Sequence, residues 1–269
     1  MGFKTIILKK EEHVATIVMN RPDRMNALIP EMFKELKEAL EEVNSDDDVR
    51  AVILTGAGRG FCTGADVKEG SAGSGEGLRA EKSIDEVRQY IRHNPQKITL
   101  AIRNLEKPII AMVNGPAVAD GFDWALACDL RVGSENARFM NAFVRMALFP
   151  NTGATWLLPR VIGLGKALEV LFTGDWLDAE EAYRIGVLNK LVPAADLESE
   201  TMALAQKLAK QPPISLRLLK MQTYRGLEMS LEAALELAAD GEAMTLKTED
   251  HREALTAFFE KREPRFKGK

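Results

Sequence analysis

The sequence predicts an α/β fold with a largely parallel sheet, and three observations carry that prediction. Two continuous apolar runs, AVILT (51–55) and PIIAMV (108–113), read as buried strands, because a strand covered on both faces has no polar side to show. Residues 84–105 between them look helical, and strand, helix, strand at this spacing implies a crossover to a parallel neighbour. After about residue 152 helical patterns take over, interrupted only by a strand-like stretch at 187–192.

The remaining elements follow in order. Residues 3–8 and 14–19 are β-rich runs separated by KKEEH and read as a hairpin. Asn26 or Pro30 then opens a helix in which Met32, Phe33, Leu36, Leu40 and Val43 share one face, and SDDD ends it. GSAGSGEG (70–77) reads as a low-complexity surface loop. The apolar stretch 122–128 forms the helix after the second buried strand. Further helices are expected at 154–162, 166–172, 179–185, 197–210, 215–226, 231–246 and 249–262. QPP (211–213) is a sharp breaker. The expected division is a core domain over residues 1–205 and a helical module over 206–269. The module's apolar face, including Leu231, Ala234, Leu235, Ala238 and Ala239, needs burial on the main domain or on another subunit.

Composition narrows the function classes. The chain has 269 residues, 46% of them hydrophobic, enough for a substantial core, and a net charge of −4 with no long Lys/Arg run. That balance argues against nucleic acid as the main partner. Cys62 and Cys128 cannot make a disulfide framework and have no zinc-like spacing, so they read as free thiols in a reducing compartment. The first residues lack the apolar core of a signal peptide, and no window reaches 18 uncharged apolar residues. A cytoplasmic protein without metal or membrane contact is expected.

Familiar catalytic devices are missing. His13, His93 and His251 stand in charged or polar surroundings and read as surface residues; there is no GxSxG, HExxH or GKS motif, and GAGRG (56–60) lacks the full dinucleotide fingerprint. Two strand-to-turn junctions stand out instead. One empties into Gly64-Ala65-Asp66, the other into Ala119-Asp120-Gly121 ahead of the 122–128 helix. Small residues let a ligand atom approach main-chain N–H groups, and a helix N-terminus adds partial positive charge. Two such N–H groups converging on one oxygen would stabilise an oxyanion. Ordinary tight turns are the competing reading.

The chain also resembles the crotonase superfamily, the enoyl-CoA hydratase/isomerase family, along nearly its whole length. The matching segments are RPDRMNAL (21–28), AVILTGAGRGFCTGADVKE, KPIIAMVNGPAVADG, ACDLRV, FPNTGATWLLPRVIG (149–163), LFTG, the small-residue and Leu-Val pattern over 182–192, and AFFEKREPRF (257–266). The stretch ARFMNAFVRMALFPNTGATWLLPRV is similar to ring-epoxide isomerases of phenylacetyl-CoA breakdown. The resemblance implies a spiral of β-β-α turns, a C-terminal helical module, and trimers or dimers of trimers. It also implies an acyl-CoA thioester as substrate, with coenzyme A entering only as part of that substrate and no separate cofactor.

Carried over position by position, the resemblance places the two oxyanion-hole donors at the N–H groups of Ala65 and Asp120, where Asp120 replaces the family's usual glycine. The first hydratase carboxylate falls on Asp123 and the second on Phe143, which cannot move a proton. The acid of related isomerases falls on Asn151. Asp123 is therefore the expected acid/base, its pKa raised by burial against Phe122, Trp124 and Phe143. Helix capping is the alternative role, with Asp120 as N-cap and Asp123 in the first turn. A carboxylate pair sharing one proton is a further arrangement for the two. Asn151 either orients a water or substrate hydroxyl or simply forms a turn. Phe122 and Phe143 are expected to line the acyl pocket. Arg24, Met25, Lys68, Phe258 and Lys261 match positions near the CoA phosphates and adenine. Hydration of a 2-enoyl-CoA is the favoured activity, and double-bond or ring isomerisation the alternative. A CoA-thioester-binding protein that has lost catalysis is the reading from another class, and neutral Phe143 and Asn151 favour it.

Overall fold

A computed structural model of the chain describes residues 2–66 and 82–269. Lys68 and the 70–77 segment lie outside the described residues. Strand β1 (Ile6–Glu11) and β2 (Val14–Met19) form the expected hairpin, paired antiparallel from Ile6↔Met19 to Glu11↔Val14. β1 begins and ends later than the apolar pattern suggests. It is a sheet edge, where Lys9, Lys10 and Glu11 can point to solvent, and Lys10 binds Asp46 across 2.7 Å.

Helix α1 (Pro30–Ser45) starts with Pro30 in the first turn, where a missing N–H costs nothing. Asn26 does not open it. Asn26 is buried with φ 56°, and its side-chain amide donates to the carbonyls of Ala57, Gly60 and Phe61. Next come β3 (Ala51–Gly56), α2 (Ile84–His93), α3 (Pro95–Asn104) and β4 (Ile109–Val113). The single helical stretch expected over 84–105 is thus two helices. Pro95 removes a donor and disfavours helix at Asn94, and the chain turns there.

Then follow β5 (Pro116–Val118), α4 (Asp120–Ala127), β6 (Leu130–Ser134), β7 (Arg138–Met140), α5 (Ala154–Ile162), α6 (Leu164–Thr173), β8 (Leu177–Asp178), α7 (Ala179–Arg184) and β9 (Lys190–Val192). The chain closes with α8 (Leu197–Ala209), α9 (Pro213–Gly226), α10 (Leu231–Thr245) and α11 (Glu249–Glu260).

The main sheet has the order β1-β2-β3-β4-β6-β9 and is parallel beyond its first pair. Both its faces are covered, which explains the unbroken apolar runs. Val52 and Leu54 join the large core with α1, α3 and α4, while Ala51 and Ile53 join a second cluster closed by Leu197, Ala205 and Ala209 of α8. Position 205 therefore falls inside α8, a helix bound to the sheet.

A second layer of short extended segments lies beside the main sheet. Leu28 bridges Ala65, Cys62 bridges Ala117, and β5 pairs with β7. Each turn of the chain thus runs through a main-sheet strand, a short second-layer segment and then helix. This is the β-β-α spiral. α9 is tied to the core at Asp129, whose carboxylate accepts from Lys220 (2.8 Å), the Tyr224 hydroxyl (2.6 Å) and the Ile109 N–H (2.8 Å). Among the described residues no helix is long and apolar enough to cross a membrane.

Candidate active site

The second layer brings the two glycine-bearing turns together. Leu28 N–H donates to the Gly64 carbonyl (2.8 Å) and Asp66 N–H to the Leu28 carbonyl (3.0 Å). Strand alternation then turns the Ala65 N–H away from Leu28, toward the second turn. A side chain on Gly64 would sit 3.1 Å from Ala119 Cβ and 3.7 Å from Asp120 N, so the turns are in contact. Ala119 holds φ 51° and ψ −118°, a region that costs a non-glycine residue about 1–3 kcal/mol and is met mostly at functional sites.

Helix α4 begins two residues earlier than its apolar stretch. Ala119 is its N-cap and makes no side-chain cap; Asp120 is its first helical residue, not the cap expected from the sequence. Asp120 and Asp123, three apart, share one face of the helix, and both are buried. The main-chain N–H groups of Ala65 and of Asp120 itself both act on the Asp120 carboxyl and favour its charged form. The two donors that the resemblance assigns to one oxygen thus both lie near one carboxyl group here.

The Asp123 carboxyl is met by a second helix start. Ala154 N–H, the first of α5, donates to Asp123 Oδ2 (3.1 Å), and the Thr152 hydroxyl donates to the same oxygen (2.7 Å). Asn141 Nδ2 lies 3.4 Å from Asp123 Oδ1. Thr152 Oγ1 is also 3.1 Å from Asp120 Oδ1. The loop carrying these groups is pinned by α3: Gln96 donates to the Asn151 carbonyl (2.9 Å) and Thr99 to the Thr152 carbonyl (2.8 Å).

Burial dominates the electrostatics. It pushes the Asp120 carboxyl up to about 6, against the opposing pull of Thr152 and the Asp120 and Ala65 N–H groups. It pushes Asp123 up to about 8, helped by the Asp120 charge and opposed by Thr152 and Ala154. Burial likewise raises the Tyr90 hydroxyl, and the Asp120 charge adds to that rise. The Tyr90 hydroxyl and Asn151 Oδ1 are both buried without a hydrogen-bond partner among the described residues. Two raised carboxyls with unpartnered polar atoms in the neighbouring shell are the composition of a proton-handling site.

Over its whole length the chain matches known proteins. The model of the enoyl-CoA hydratase/isomerase family covers residues 9–269. The chain belongs to the enoyl-CoA hydratase/isomerase family. It is 36% identical to a crotonyl-CoA hydratase of Syntrophomonas wolfei over 267 residues, 99% of each chain. It is also 36% identical to a 1,2-epoxyphenylacetyl-CoA isomerase of Escherichia coli over 264 residues, 98% of each. Its fold superposes on an enoyl-CoA hydratase from Bacillus anthracis with a TM-score of 0.91, at 34% identity, over 99% of this chain and 100% of the other. As a member of this enoyl-CoA hydratase/isomerase family the protein is an enzyme.

The other residues singled out in the sequence lie on several elements of this family fold. Phe143 is buried at the start of the 144–146 turn. Phe122 points into the main core and packs on Phe139, with ring centroids 5.1 Å apart. Arg24 is exposed in the turn Pro22–Arg24, and Met25 adopts a left-handed conformation with its side chain against Gly60. Phe258 and Lys261 lie at the end of α11; Phe258 is 78% exposed and contacts Phe259. Cys62 and Cys128 are buried, and burial pushes both thiols up to about 12, so they pack as small apolar groups. Two residues of the site escape sequence reasoning. Thr152 looks like any turn residue, and Tyr90 like part of an amphipathic helix.

Proposed function

We propose that the enzyme hydrates a 2-enoyl-CoA. The thioester carbonyl oxygen would take the place of the Asp120 carboxyl between the N–H groups of Ala65 and Asp120. Asp123, as carboxylate, takes a proton from water as the water oxygen bonds to Cβ; the alkene pair moves through Cα onto the thioester oxygen. The enolate is held by the two N–H groups, each typically worth about 10²–10³ in rate. A proton equivalent to the one taken up by Asp123 then goes to Cα and the carbonyl reforms. The observation that supports this reading most is that both N–H groups act on one carboxyl where the two turns touch, beside a buried Asp123 whose raised pKa suits proton transfer near neutral pH.

Arg24, Met25, Lys68, Phe258 and Lys261 would bind the CoA moiety, with Phe143 closing the acyl pocket and Asn151 orienting the water or a substrate hydroxyl. Residues 206–269 would form the oligomerisation module, in a trimer or dimer of trimers, since Leu231, Leu235 and Phe259 stand exposed on a single chain. Coenzyme A enters only as substrate, and the expected location is the cytoplasm. Double-bond or ring isomerisation is the second reading, since one base can shuttle one proton; neutral Asn151, where the resemblance places the isomerase acid, counts against it.

Incubation with crotonyl-CoA and with a cyclic enoyl-CoA in deuterated water separates the readings. Hydroxyacyl-CoA formation abolished in Asp123→Asn supports hydration. A shifted double bond with α-deuterium and no added water supports isomerisation. CoA binding with neither reaction overturns both.

A further inference from the structure

Thr152 raises a problem of proton inventory. Its hydroxyl carries one hydrogen and two lone pairs, yet Oγ1 stands 2.7 Å from Asp123 Oδ2 and 3.1 Å from Asp120 Oδ1. With both carboxyls ionised it could donate to only one, and the other contact would set two bare oxygens against each other in a buried site. One proton between the two carboxyls removes the conflict. Asp123 Oδ2 already accepts from Ala154 N–H, and the shorter contact marks it as the acceptor of the Thr152 hydroxyl. In the form ready for hydration the proton is on Asp120 Oδ1 and points at the free lone pair of Thr152; because Asp123 is the carboxyl raised further, the same hydroxyl relays the proton from Asp123 to reach that form.

We propose that Asp120, Thr152 and Asp123 form one proton-sharing chain, in which Asp120 supplies the second acid of the reaction and Thr152 is the positioning residue that couples it to Asp123. This rests on the assignment of Asp123 as acid/base and of the Ala65 and Asp120 N–H groups as the oxyanion hole. Asp123 takes the proton from water as the C–O bond forms at Cβ. Asp120 gives its proton to Cα, and the enolate pair becomes the new C–H bond. The Asp123 proton then passes to Thr152 Oγ1 while the Thr152 hydrogen passes to Asp120 Oδ1, which restores the starting state without any other reactant. A carboxyl resting beside the oxyanion donors is next to the carbon attached to the thioester carbonyl. The chain thus carries its second acid on the oxyanion turn, in a protein whose Phe143 cannot serve.

Among the described residues, the titratable groups that feel this pair from neighbouring elements are Tyr90 on α2 and Cys62 on the segment after β3, and both stay neutral near pH 7 because their pKa values are raised. The proton shared within the pair is therefore the ionisable one in the working range. Both carboxyls are shifted upward by burial, which agrees with a retained proton.

The test is the hydration rate of crotonyl-CoA against pH in Thr152→Val and Thr152→Ser. T152V keeps the shape but loses the hydroxyl. We expect its kcat to fall by about 10²-fold with KM nearly unchanged and a shifted acidic limb, and T152S to recover kcat to within a few-fold. A T152V enzyme with wild-type kcat and pH profile, or a T152S enzyme no better than T152V, overturns the relay. Should T152V fold poorly, infrared spectroscopy of the wild type at neutral pH is decisive: one protonated carboxyl that vanishes in Asp120→Asn supports the chain, and none or two refutes it. Loss of activity in Asp123→Asn without loss in T152V defeats the relay alone, whereas an active D123N removes the underlying acid/base assignment.

Discussion

No side chain fits between Gly121 and Cys62: a Cβ on Gly121 would lie 2.2 Å from the Cys62 carbonyl oxygen. The first turn of α4 is therefore pressed against the segment that leads to Ala65, and this contact sets the separation of the two proposed oxyanion donors. Gly121→Ala must push α4 away. We expect a loss of about 3 kcal/mol in chemical denaturation and, for a displacement near 1 Å, about 10²-fold in kcat/KM. Gly165→Ala, where a Cβ meets nothing within 4 Å, is the matched control and should be neutral in both.

The buried carboxyls give stability a particular pH dependence. Asp120 and Asp123 have folded-state pKa values of about 6 and about 8, above the ordinary 3.8. The folded state thus binds protons more tightly than the unfolded chain, and the stabilisation is complete below the unfolded value. It is lost as pH rises from about 4 through about 8. The melting temperature of the wild type should therefore fall between pH 5 and pH 9, and Asp123→Asn should flatten that slope. A wild-type melting curve that climbs over this range contradicts the assignment.

Removing the Tyr90 hydroxyl, buried and unpartnered among the described residues, relieves a desolvated polar group, worth about 1 kcal/mol. Tyr90→Phe should hold or raise the melting temperature of the ligand-free enzyme, and a clear fall would mean that the hydroxyl is hydrogen-bonded in solution.

Asp129 gathers the Lys220 ammonium, the Tyr224 hydroxyl and the Ile109 N–H, while Arg103 stacks on the Tyr224 ring at 3.4 Å. Asp129→Ala leaves the largely buried Lys220 without its counter-charge and should cost about 3–5 kcal/mol. Limited proteolysis should then cut first near 211–213, where α9 leaves the core.

Much of this architecture is legible in the sequence because its cause is local. The doubly buried strands show as apolar runs, α1 shows as spacing, and QPP shows as a break. The short strands β5 to β8 are not legible: two to five residues carry too little pattern, and their pairing is decided by distant partners. Asn26 looked like a helix opener because its amide bonds to residues more than 30 positions away cannot be read locally. At the site, Asp123 and the two turns are visible through residue type and family likeness. Thr152 is not, since its partners are 29 and 32 positions away and only the fold sets its hydroxyl between them. Asp120 reads as a cap because side chain and position suit one; Ala119, with positive φ, takes the cap position and Asp120 the first helical one instead.

The central claim is that the N–H groups of Ala65 and Asp120 grip the thioester carbonyl, and a crystal structure with bound acyl-CoA tests it most directly. The account predicts the carbonyl oxygen within hydrogen-bond distance of both nitrogens, the Asp120 carboxyl moved aside but still bonded to Thr152, and Asp123 facing Cβ. A thioester carbonyl directed away from either nitrogen, with the Asp120 carboxyl still in place between them, would contradict it.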